Sequence, residues 1–309
     1  MSDLKHYSVL LNESISLLEV EDGKTYLDCT VGGGGHSSEI LKRIPHGFLY
    51  GFDQDEFAVE KATKRLEEIG QNFKIYKDNF TNLANYFENE SLDGIIYDLG
   101  VSSFQFDLPE RGFSYRFDGP LDMRMNQDSV LTAADIVNTY SESDLIKIFH
   151  HYGEEKYASS IAKRIIRKRA EKKIETTFEL VDIIKASMPA KELRKPGHPA
   201  KQVFQALRIE VNHELEYLEK SLQAALNALK VEGVLVVITF HSLEDRIVKQ
   251  LFKKVSTLNL PKGIPFVPDG YEVKCELINS KIILPSDEEL KENNRSHSAK
   301  LRAIKRIKA

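Results

Sequence analysis

Short apolar runs alternate with amphipathic segments through the first hundred residues of the chain. Runs of consecutive apolar residues predict buried strands at about 25–30, 48–52, 73–76 and 92–98. Apolar positions three and four residues apart predict helices at about 4–18, 38–44, 55–69 and 81–88. Because strands that alternate with helices form mostly parallel sheets, the pattern indicates an α/β fold.

The alternation stops between about Phe106 and Arg208, where helical patterns follow one another without strands. These patterns predict helices at about 132–138, 141–151, 154–173 and 176–188. We therefore expect an inserted helical subdomain of residues 107–205 within a discontinuous α/β domain of residues 1–106 and 206–309.

The α/β pattern resumes after the helical segments. It predicts, in order, a long helix at 203–229, a buried strand at 233–240, a helix at 243–256 and two last strands near 271–284 and 301–307. Ser242 and Asp245 have the spacing of a capping box at the start of the helix 243–256.

Charge and composition narrow the class of protein. The net charge of −4 argues against a uniformly basic nucleic-acid coat. The basic residues nevertheless concentrate in two runs, 163–173 and 295–308, which favour a phosphate-rich partner unless they are only a solvated helix face and a solubilising tail. The two cysteines lack metal-ligand spacing, and no metal site is expected. We expect a cytoplasmic protein without a membrane partner, since no apolar run approaches the roughly 18 residues of a membrane span.

Candidate chemistry begins at the glycine-rich turn of Gly32 to Gly35, which follows the first strand and opens a helix. Asp28 at the end of that strand can hold an ammonium group, and Asp53 ends the second strand, where an acid takes ribose hydroxyls. No Gly-Lys-Ser/Thr follows the turn, which excludes a P-loop. These residues favour S-adenosylmethionine. A nicotinamide dinucleotide, or a turn that only connects two elements, remains an alternative.

Asp98 ends the fourth predicted strand, beside the first, where ligands bind in open α/β sheets. Neither a cysteine nor a strong base accompanies it, so methyl transfer to an exocyclic amine such as cytosine N4 or adenine N6 is favoured. Asp98 would accept a hydrogen bond from the amine. The alternative is an acid that caps the next turn.

Several strings extend these motifs across nearly the whole chain. They are His6 to Glu13, Thr30 to His36, Asp98 to Ser103, Glu110 to Ser114, Asp118 to Met125, Tyr152 to Glu155, His198 to Ala200, Phe204 to Ile209, Phe240 to Arg246 and Arg295 to Arg302. With them the sequence resembles the bacterial 16S rRNA (cytosine-N4) methyltransferases, which modify a decoding-centre cytidine. The resemblance implies a class I methyltransferase with a Rossmann-like, mostly parallel seven-stranded sheet and a helical insertion. It also implies S-adenosylmethionine as cofactor and 16S rRNA or the small ribosomal subunit as partner.

The resemblance carries the family's cofactor contacts to matching positions, which are Gly34, Gly35, His36, Asp53, Phe80, Asp98 and Gln105. Phe80 can cover the adenine and Asp53 can hold the ribose. Family members often have a phenylalanine and an arginine where this chain has Val31 and Gly33, which puts side-chain contacts from those two positions in doubt.

The substrate side of the site is expected in the loop that carries Arg111, Phe113, Tyr115, Asp122 and Arg124. Its guanidinium groups suit phosphates and its rings suit an extruded base. The alternative is an internal ion-pair network, Arg111–Asp122 or Asp118–Arg124.

His241 ends the fifth predicted strand, where it either faces the pocket as a catalytic group or is a core histidine. The helical insertion could pair two copies as a homodimer or clamp RNA. Two rival functions stay open: a methyltransferase of DNA or a small molecule, and a non-catalytic assembly factor that binds RNA.

Overall fold

A computed structural model describes residues 8–258 and 272–309, which form two compact units. Residues 4–7 of the predicted lead-in helix and residue 271 of the predicted sixth strand lie outside this part of the chain. The first unit contains the described residues up to Gly100 and from Leu215 onward, and the second runs from Val101 to Glu214.

The first unit contains a single sheet with seven strands in its described residues. The strands are β1 Thr25–Asp28, β2 Phe48–Asp53, β3 Phe73–Lys77, β4 Leu92–Asp98, β5 Leu229–Thr239, β6 Cys275–Leu277 and β7 Lys300–Arg306. Their order is β3-β2-β1-β4-β5-β7-β6, and only the pairs of β7 with β5 and β6 are antiparallel. The mostly parallel seven-stranded sheet expected from the sequence is confirmed.

The helices of the first unit lie between the strands along the chain. They are α1 Leu11–Leu17, α2 Gly35–Arg43, α3 Glu56–Glu67, α11 Glu214–Ala228, α12 Ser242–Ser256 and α13 Asp287–Glu292, with 3₁₀ helices at Phe80–Asn85 and Asn294–Ser298. Glu214 is the last residue of the second unit, and the rest of α11 belongs to the first.

Both faces of the sheet are covered, which explains why its strands are continuous apolar runs. Leu27 and Tyr97 belong to one buried cluster, while Tyr26 and Ile96 belong to another on the opposite side. Successive side chains of a strand point to opposite faces, so each central strand supplies both clusters.

The second unit is helical in its regular structure. Its helices are α4 Ser103–Asp107, α5 Ala133–Thr139, α6 Glu142–His151, α7 Ala158–Glu171, α8 Thr177–Ala186, α9 Ala190–Leu193 and α10 Lys201–Asn212, with a 3₁₀ turn at Pro109–Arg111. Phe149, Ile161 and Leu207, each 0% exposed, lie in its own apolar core. The unit begins earlier and ends later than the predicted 107–205 because α4 and the end of α10 belong to it.

Two predicted helices differ from the structure. The single helix expected at 203–229 is two helices, because His213 adopts a left-handed conformation (φ 50°) that interrupts the helical hydrogen bonds. The helix expected at 81–88 is the shorter 3₁₀ helix Phe80–Asn85, capped by Asn79, whose side chain accepts a hydrogen bond from the Thr81 N–H at 2.9 Å. Within residues 8–258 and 272–309, every helix is too short or too polar to span a bilayer.

Candidate active site

The candidate site lies where β1 and β4 end side by side. Asp28 is the last residue of β1 and pairs with Ile96, two residues before Asp98 at the end of β4. The Asp98 N–H donates a hydrogen bond of 2.6 Å to Thr30 Oγ1, which ties the two strand ends together. The strand order β3-β2-β1-β4-β5 reverses between β1 and β4, and α/β sheets bind ligands at the carboxyl ends of the strands at such a point.

The glycine turn connects β1 to α2 in a conformation that L side chains rarely adopt. Gly32 has a φ of 51° and Gly34 a φ of 74°, both left-handed. Gly34 is the N-cap of α2 and has no side chain to accept hydrogen bonds from the first N–H groups of the helix. No side chain at Gly34 covers these N–H groups. A backbone of this kind can approach the anionic or polar end of a ligand closely.

Asp28 lies beneath the turn and is 1% exposed. Its Oδ1 accepts a hydrogen bond from the Thr30 N–H at 3.0 Å, and its Oδ2 accepts one from Ser37 Oγ at 2.6 Å. Burial raises the pKa of Asp28 above its usual value, against the lowering effect of these hydrogen bonds. The carboxylate therefore holds both ends of the glycine turn, and its predicted contact with an ammonium group stays a prediction.

Asp53, at the end of β2, holds the same turn from the other side. Its Oδ2 accepts a hydrogen bond of 2.8 Å from the Gly32 N–H, and its Oδ1 accepts one of 2.9 Å from the Asp55 N–H. Burial raises the pKa of Asp53 to about 6 in spite of these bonds. An ionised carboxylate offers about four lone pairs, so two acceptor positions remain for the predicted ribose hydroxyls.

Asp98 and His36 face each other across the crevice. Asp98 Oδ2 lies 3.6 Å from His36 Nδ1, and His36 Nε2 is 3.2 Å from the Val9 carbonyl oxygen, which orients the ring. Asp98 Oδ1 is buried, and no atom of the described residues forms a hydrogen bond with it. Burial, reinforced by the nearby Asp28, Glu244 and Glu289 carboxylates, raises the pKa of Asp98 well above its usual value.

Phe80 follows β3 and is positioned by residues that the sequence analysis did not single out. Its ring meets the Tyr97 ring edge-on, with centroids 5.5 Å apart. Ser221 Oγ donates a hydrogen bond of 3.0 Å to the Phe80 carbonyl oxygen, and the Tyr97 hydroxyl lies 2.5 Å from Ser221 Oγ. The position of Phe80 therefore depends on α11, far along the chain.

His241 is the N-cap of α12, which corrects the capping box predicted for Ser242 and Asp245. The Glu244 N–H donates to His241 Nδ1, and Glu244 Oε2 accepts a hydrogen bond of 2.8 Å from the Phe240 N–H. The box is displaced by one residue because α12 begins at Ser242, while Asp245 instead pairs with Arg302 at 2.8 Å. His241 thus holds the β5–α12 turn. A catalytic role for it stays a prediction.

Gln105 belongs to the second unit and is 4% exposed. It forms a capping box at the start of α4, in which Gln105 Oε1 accepts a hydrogen bond of 3.1 Å from the Ser102 N–H. This hydrogen bond engages the side-chain oxygen of Gln105, and the predicted cofactor contact of Gln105 stays a prediction.

The loop with the predicted substrate residues uses their side chains internally. Arg111 is 5% exposed, and its guanidinium donates to the carbonyl oxygens of Arg124 and Met125 at 3.0 and 3.1 Å. Phe113 is 3% exposed and belongs to the helical core. Arg124 pairs with Asp122 at 2.7 Å, a different pair from the two considered from the sequence. These bonds hold the loop, and contacts of these four residues with RNA stay a prediction.

Comparison with known proteins decides the family. The model of the MraW methylase family matches residues 3–307. This chain belongs to the MraW methylase family. It is 53% identical over 313 residues to the ribosomal RNA small subunit methyltransferase H of Streptococcus mutans serotype c, covering 99% of each chain.

Two solved structures align with most of this MraW-family chain at low sequence identity. An rRNA methylase of Streptococcus thermophilus is 12% identical, with a TM-score of 0.43, over 96% of this chain and 94% of that one. A SAM-dependent O-methyltransferase of Thermotoga maritima is 9% identical, with a TM-score of 0.44, over 99% of this chain and 69% of that one.

The structure adds four side chains to the site that sequence motifs did not assign: Thr30, Ser37, Tyr97 and Ser221. Thr30 and Ser37 lie within or beside the glycine motif, so a search for hydroxyls near Asp28 would have found them. Ser221 is 141 residues from Phe80, and no local pattern could have connected the two.

Proposed function

We propose that this protein transfers a methyl group from S-adenosylmethionine to the exocyclic N4 amine of a decoding-centre cytidine in 16S rRNA. Membership of the MraW methylase family supports methyl transfer, and the 53% identical relative is named for the small-subunit rRNA. The single observation that carries the amine chemistry is Asp98 Oδ1, a buried carboxylate oxygen without a partner among the described residues, at the mouth of the crevice.

The residues around the turn fit S-adenosylmethionine. The turn of Gly32 and Gly34 leaves backbone rather than side chains at the start of α2, and Asp53 retains free lone pairs for hydroxyls. Asp28, which is 1% exposed, would act on the ammonium group of the cofactor through its charge and through the turn it holds. Phe80 would pack on the adenine. When bound, the cofactor supplies an electrophilic methyl group on a sulfonium.

Asp98 supplies the acceptor that an exocyclic amine needs. The N4 lone pair of cytosine is conjugated with the ring, so the amine becomes a better nucleophile when an acceptor draws on its N–H. The N4 atom gains the methyl group and must lose one proton, which Asp98 Oδ1 would take. Burial raises the pKa of Asp98 and so makes its carboxylate a stronger base than an exposed one. His36 Nδ1 lies 3.6 Å from the other oxygen, Oδ2.

The test is a methylation assay with the full-length protein. Small subunits and naked 16S rRNA from a strain that lacks this enzyme are incubated with labelled S-adenosylmethionine, and the RNA is digested to nucleosides for chromatography. We expect label in N4-methylcytidine with the wild-type protein. For Asp98→Asn we expect a rate lower by roughly 10²- to 10⁴-fold, the usual range for loss of a general base. The matched control is Asp245→Asn, which makes the same change at an acid on α12 that pairs with Arg302. We expect this control to keep the wild-type rate.

Each rival function predicts a different outcome. Label in another base or in DNA would identify a different methyltransferase on the same fold. Binding of S-adenosylmethionine by calorimetry without any transfer would indicate a non-catalytic assembly factor. If the cofactor did not bind at all, the assignment of the glycine turn would be wrong. The predicted homodimer is tested separately by light scattering of the free protein.

A further inference from the structure

One surface of the second unit combines exposed and half-buried rings with positive charge, and the proposed reaction does not use it. We define this stacking surface by Tyr115, Arg116, Phe117, Phe178, Lys185 and His198. The Tyr115 and His198 rings are stacked, with centroids 4.3 Å apart and planes inclined by 11°. Phe117 and Phe178 are 50% and 42% exposed.

Local hydrogen bonds hold the two phenylalanines near each other. Thr177 Oγ1 donates to the Phe117 carbonyl oxygen at 2.8 Å, and the Phe178 N–H donates to Asp118 Oδ1 at 3.1 Å. The backbone N–H of Phe178 lowers the pKa of Asp118, which is therefore an ionised acid beside the rings but one already engaged by the backbone. The rings are thus exposed on an anchored segment.

The cations of this surface are free to meet a ligand. Arg116 and Lys185 are exposed, and within residues 8–258 and 272–309 their side chains form no hydrogen bond or ion pair. Both lie close to His198. Burial is the main cause that lowers the pKa of this histidine, and the charges of Lys185 and Arg116 lower it further. Its ring is consequently neutral near pH 7, and His198 Nδ1 accepts a hydrogen bond of 3.2 Å from the Ala200 N–H, which fixes the plane of the stack.

In the basic run 163–173, some of the cations already have partners within the second unit. On α7, Lys168 pairs with Glu171 at 2.8 Å, and Lys172 beyond its end pairs with Glu179 at 2.6 Å. Arg169 donates to two carbonyl oxygens at the end of α5. Three of the seven basic residues of the run 163–173 therefore have partners within the helical unit.

We propose that the stacking surface binds unpaired nucleotides of the RNA substrate, with bases on its rings and phosphates at Arg116 and Lys185. The inference rests on the proposed function and adds where this chain holds the single strand. Aromatic rings interleaved with cations bind single-stranded nucleic acid, because every base has a face that can stack and every linkage carries a charge. Duplex RNA keeps its bases inside the helix and cannot use the rings.

The experiment measures fluorescence anisotropy of a labelled, cytidine-containing RNA oligonucleotide with the full-length protein, as a single strand and as a duplex. We expect tighter binding of the single strand. His198→Ala should raise its Kd roughly 5- to 150-fold, the usual loss when one stacking ring is removed, while His198→Phe keeps a ring and most of the affinity. Neither variant should change duplex binding.

Salt dependence tests the cations. The double variant Arg116→Gln and Lys185→Gln should reduce the slope of log Kd against log salt by about 0.7 for each lost phosphate contact. The matched control is Lys163→Gln with Arg167→Gln, which removes the same charge from the exposed face of α7. We expect the control to keep the wild-type slope.

Several results would overturn the inference. The first is a single-strand Kd that His198→Ala leaves unchanged. The second is a loss of affinity for His198→Phe equal to that for His198→Ala, in a protein that still melts normally by circular dichroism. The third is the same slope of log Kd against log salt for the two double variants. A loss of activity on assembled subunits without any loss of RNA affinity would assign the surface to a protein partner. Calorimetric titration of S-adenosylmethionine and the methylation assay report separately on the proposed function, so its failure is distinguishable from failure of this surface.

Discussion

The change Asp53→Asn tests how much the buried carboxylate beneath the glycine turn costs the stability of the protein. Asparagine has nearly the same shape but cannot ionise, so the difference in free energy of unfolding between variant and wild type isolates the carboxylate. The pKa of Asp53 is raised from 3.8 to about 6 by burial, and each pKa unit corresponds to about 1.36 kcal/mol. Burying the charged form therefore costs the wild-type protein about 3 kcal/mol at pH 7.

The sign of the pH dependence follows from the two protonation states. Below pH 3.8 the carboxyl group is protonated in the folded and unfolded chain alike, and it costs nothing. As the pH rises, the unfolded chain ionises first and is favoured, until the folded chain also ionises near pH 6. We expect wild-type stability to fall relative to Asp53→Asn by about 2 kcal/mol between about pH 4.5 and 7.5, and to level off above that.

The assay is urea-induced unfolding followed by circular dichroism at several values of pH across this window. Burial also raises the pKa values of Asp28 and Asp98. Their effect on the free energy of unfolding is the same in the wild type and the variant, so it cancels in the difference between the two. Asp245→Asn is the control. Burial pushes the pKa of Asp245 upward, but Arg302 and Lys300 outweigh it and hold the pKa below its usual value. This control should therefore show no trend in the window. A constant difference for Asp53→Asn would refute the reasoning, and so would a difference of the opposite sign.

Three further changes test the turn, the support of Phe80 and the proposed cofactor contact. Gly34→Ala should lower the free energy of unfolding by about 1–2 kcal/mol, because Gly34 has a φ of 74° and a methyl group there would lie 3.4 Å from Ala62; an unchanged urea midpoint would contradict this. Tyr97→Phe removes a buried hydroxyl beside Ser221 and should cost about 1 kcal/mol in thermal unfolding. Combined with Ser221→Ala, the loss should be smaller than the sum of the two single losses, because both changes break the same hydrogen bond. Additive losses would show that the two hydroxyls do not act together. Asp53→Ala should weaken S-adenosylmethionine binding by roughly 1–3 kcal/mol in calorimetry, and equal affinity would remove Asp53 from the cofactor site.

Much of the fold follows from local patterns in the sequence. β4 has the bounds that its apolar run predicts, because a strand covered on both faces is mostly apolar between its ends. The glycine turn was equally visible, since left-handed backbone at Gly32 and Gly34 requires residues without a Cβ. The ends of strands that carry Asp28, Asp53 and Asp98 follow from the same runs, which explains why the candidate site could be located before its geometry was known.

The partners of the functional side chains were decided only by tertiary structure. Thr30 and Asp98 are 68 residues apart, and their contact depends on the pairing of β1 with β4 rather than on any local pattern. A segment with an arginine and nearby aromatic residues looks the same in the sequence whether its side chains contact RNA or pack in a core. The sequence therefore could not show that Arg111 and Phe113 are buried.

The sequence by itself determined the elements, the sheet, the glycine turn and the family, because each depends on residue type and spacing along the chain. Only the tertiary structure decided that Asp28 and Asp53 hold the turn from beneath and that Asp98 retains an oxygen without a partner among the described residues. The physical reason is that burial and hydrogen bonding are set by segments that are distant in sequence. Their approach fixes which charges are neutralised and which remain available for chemistry.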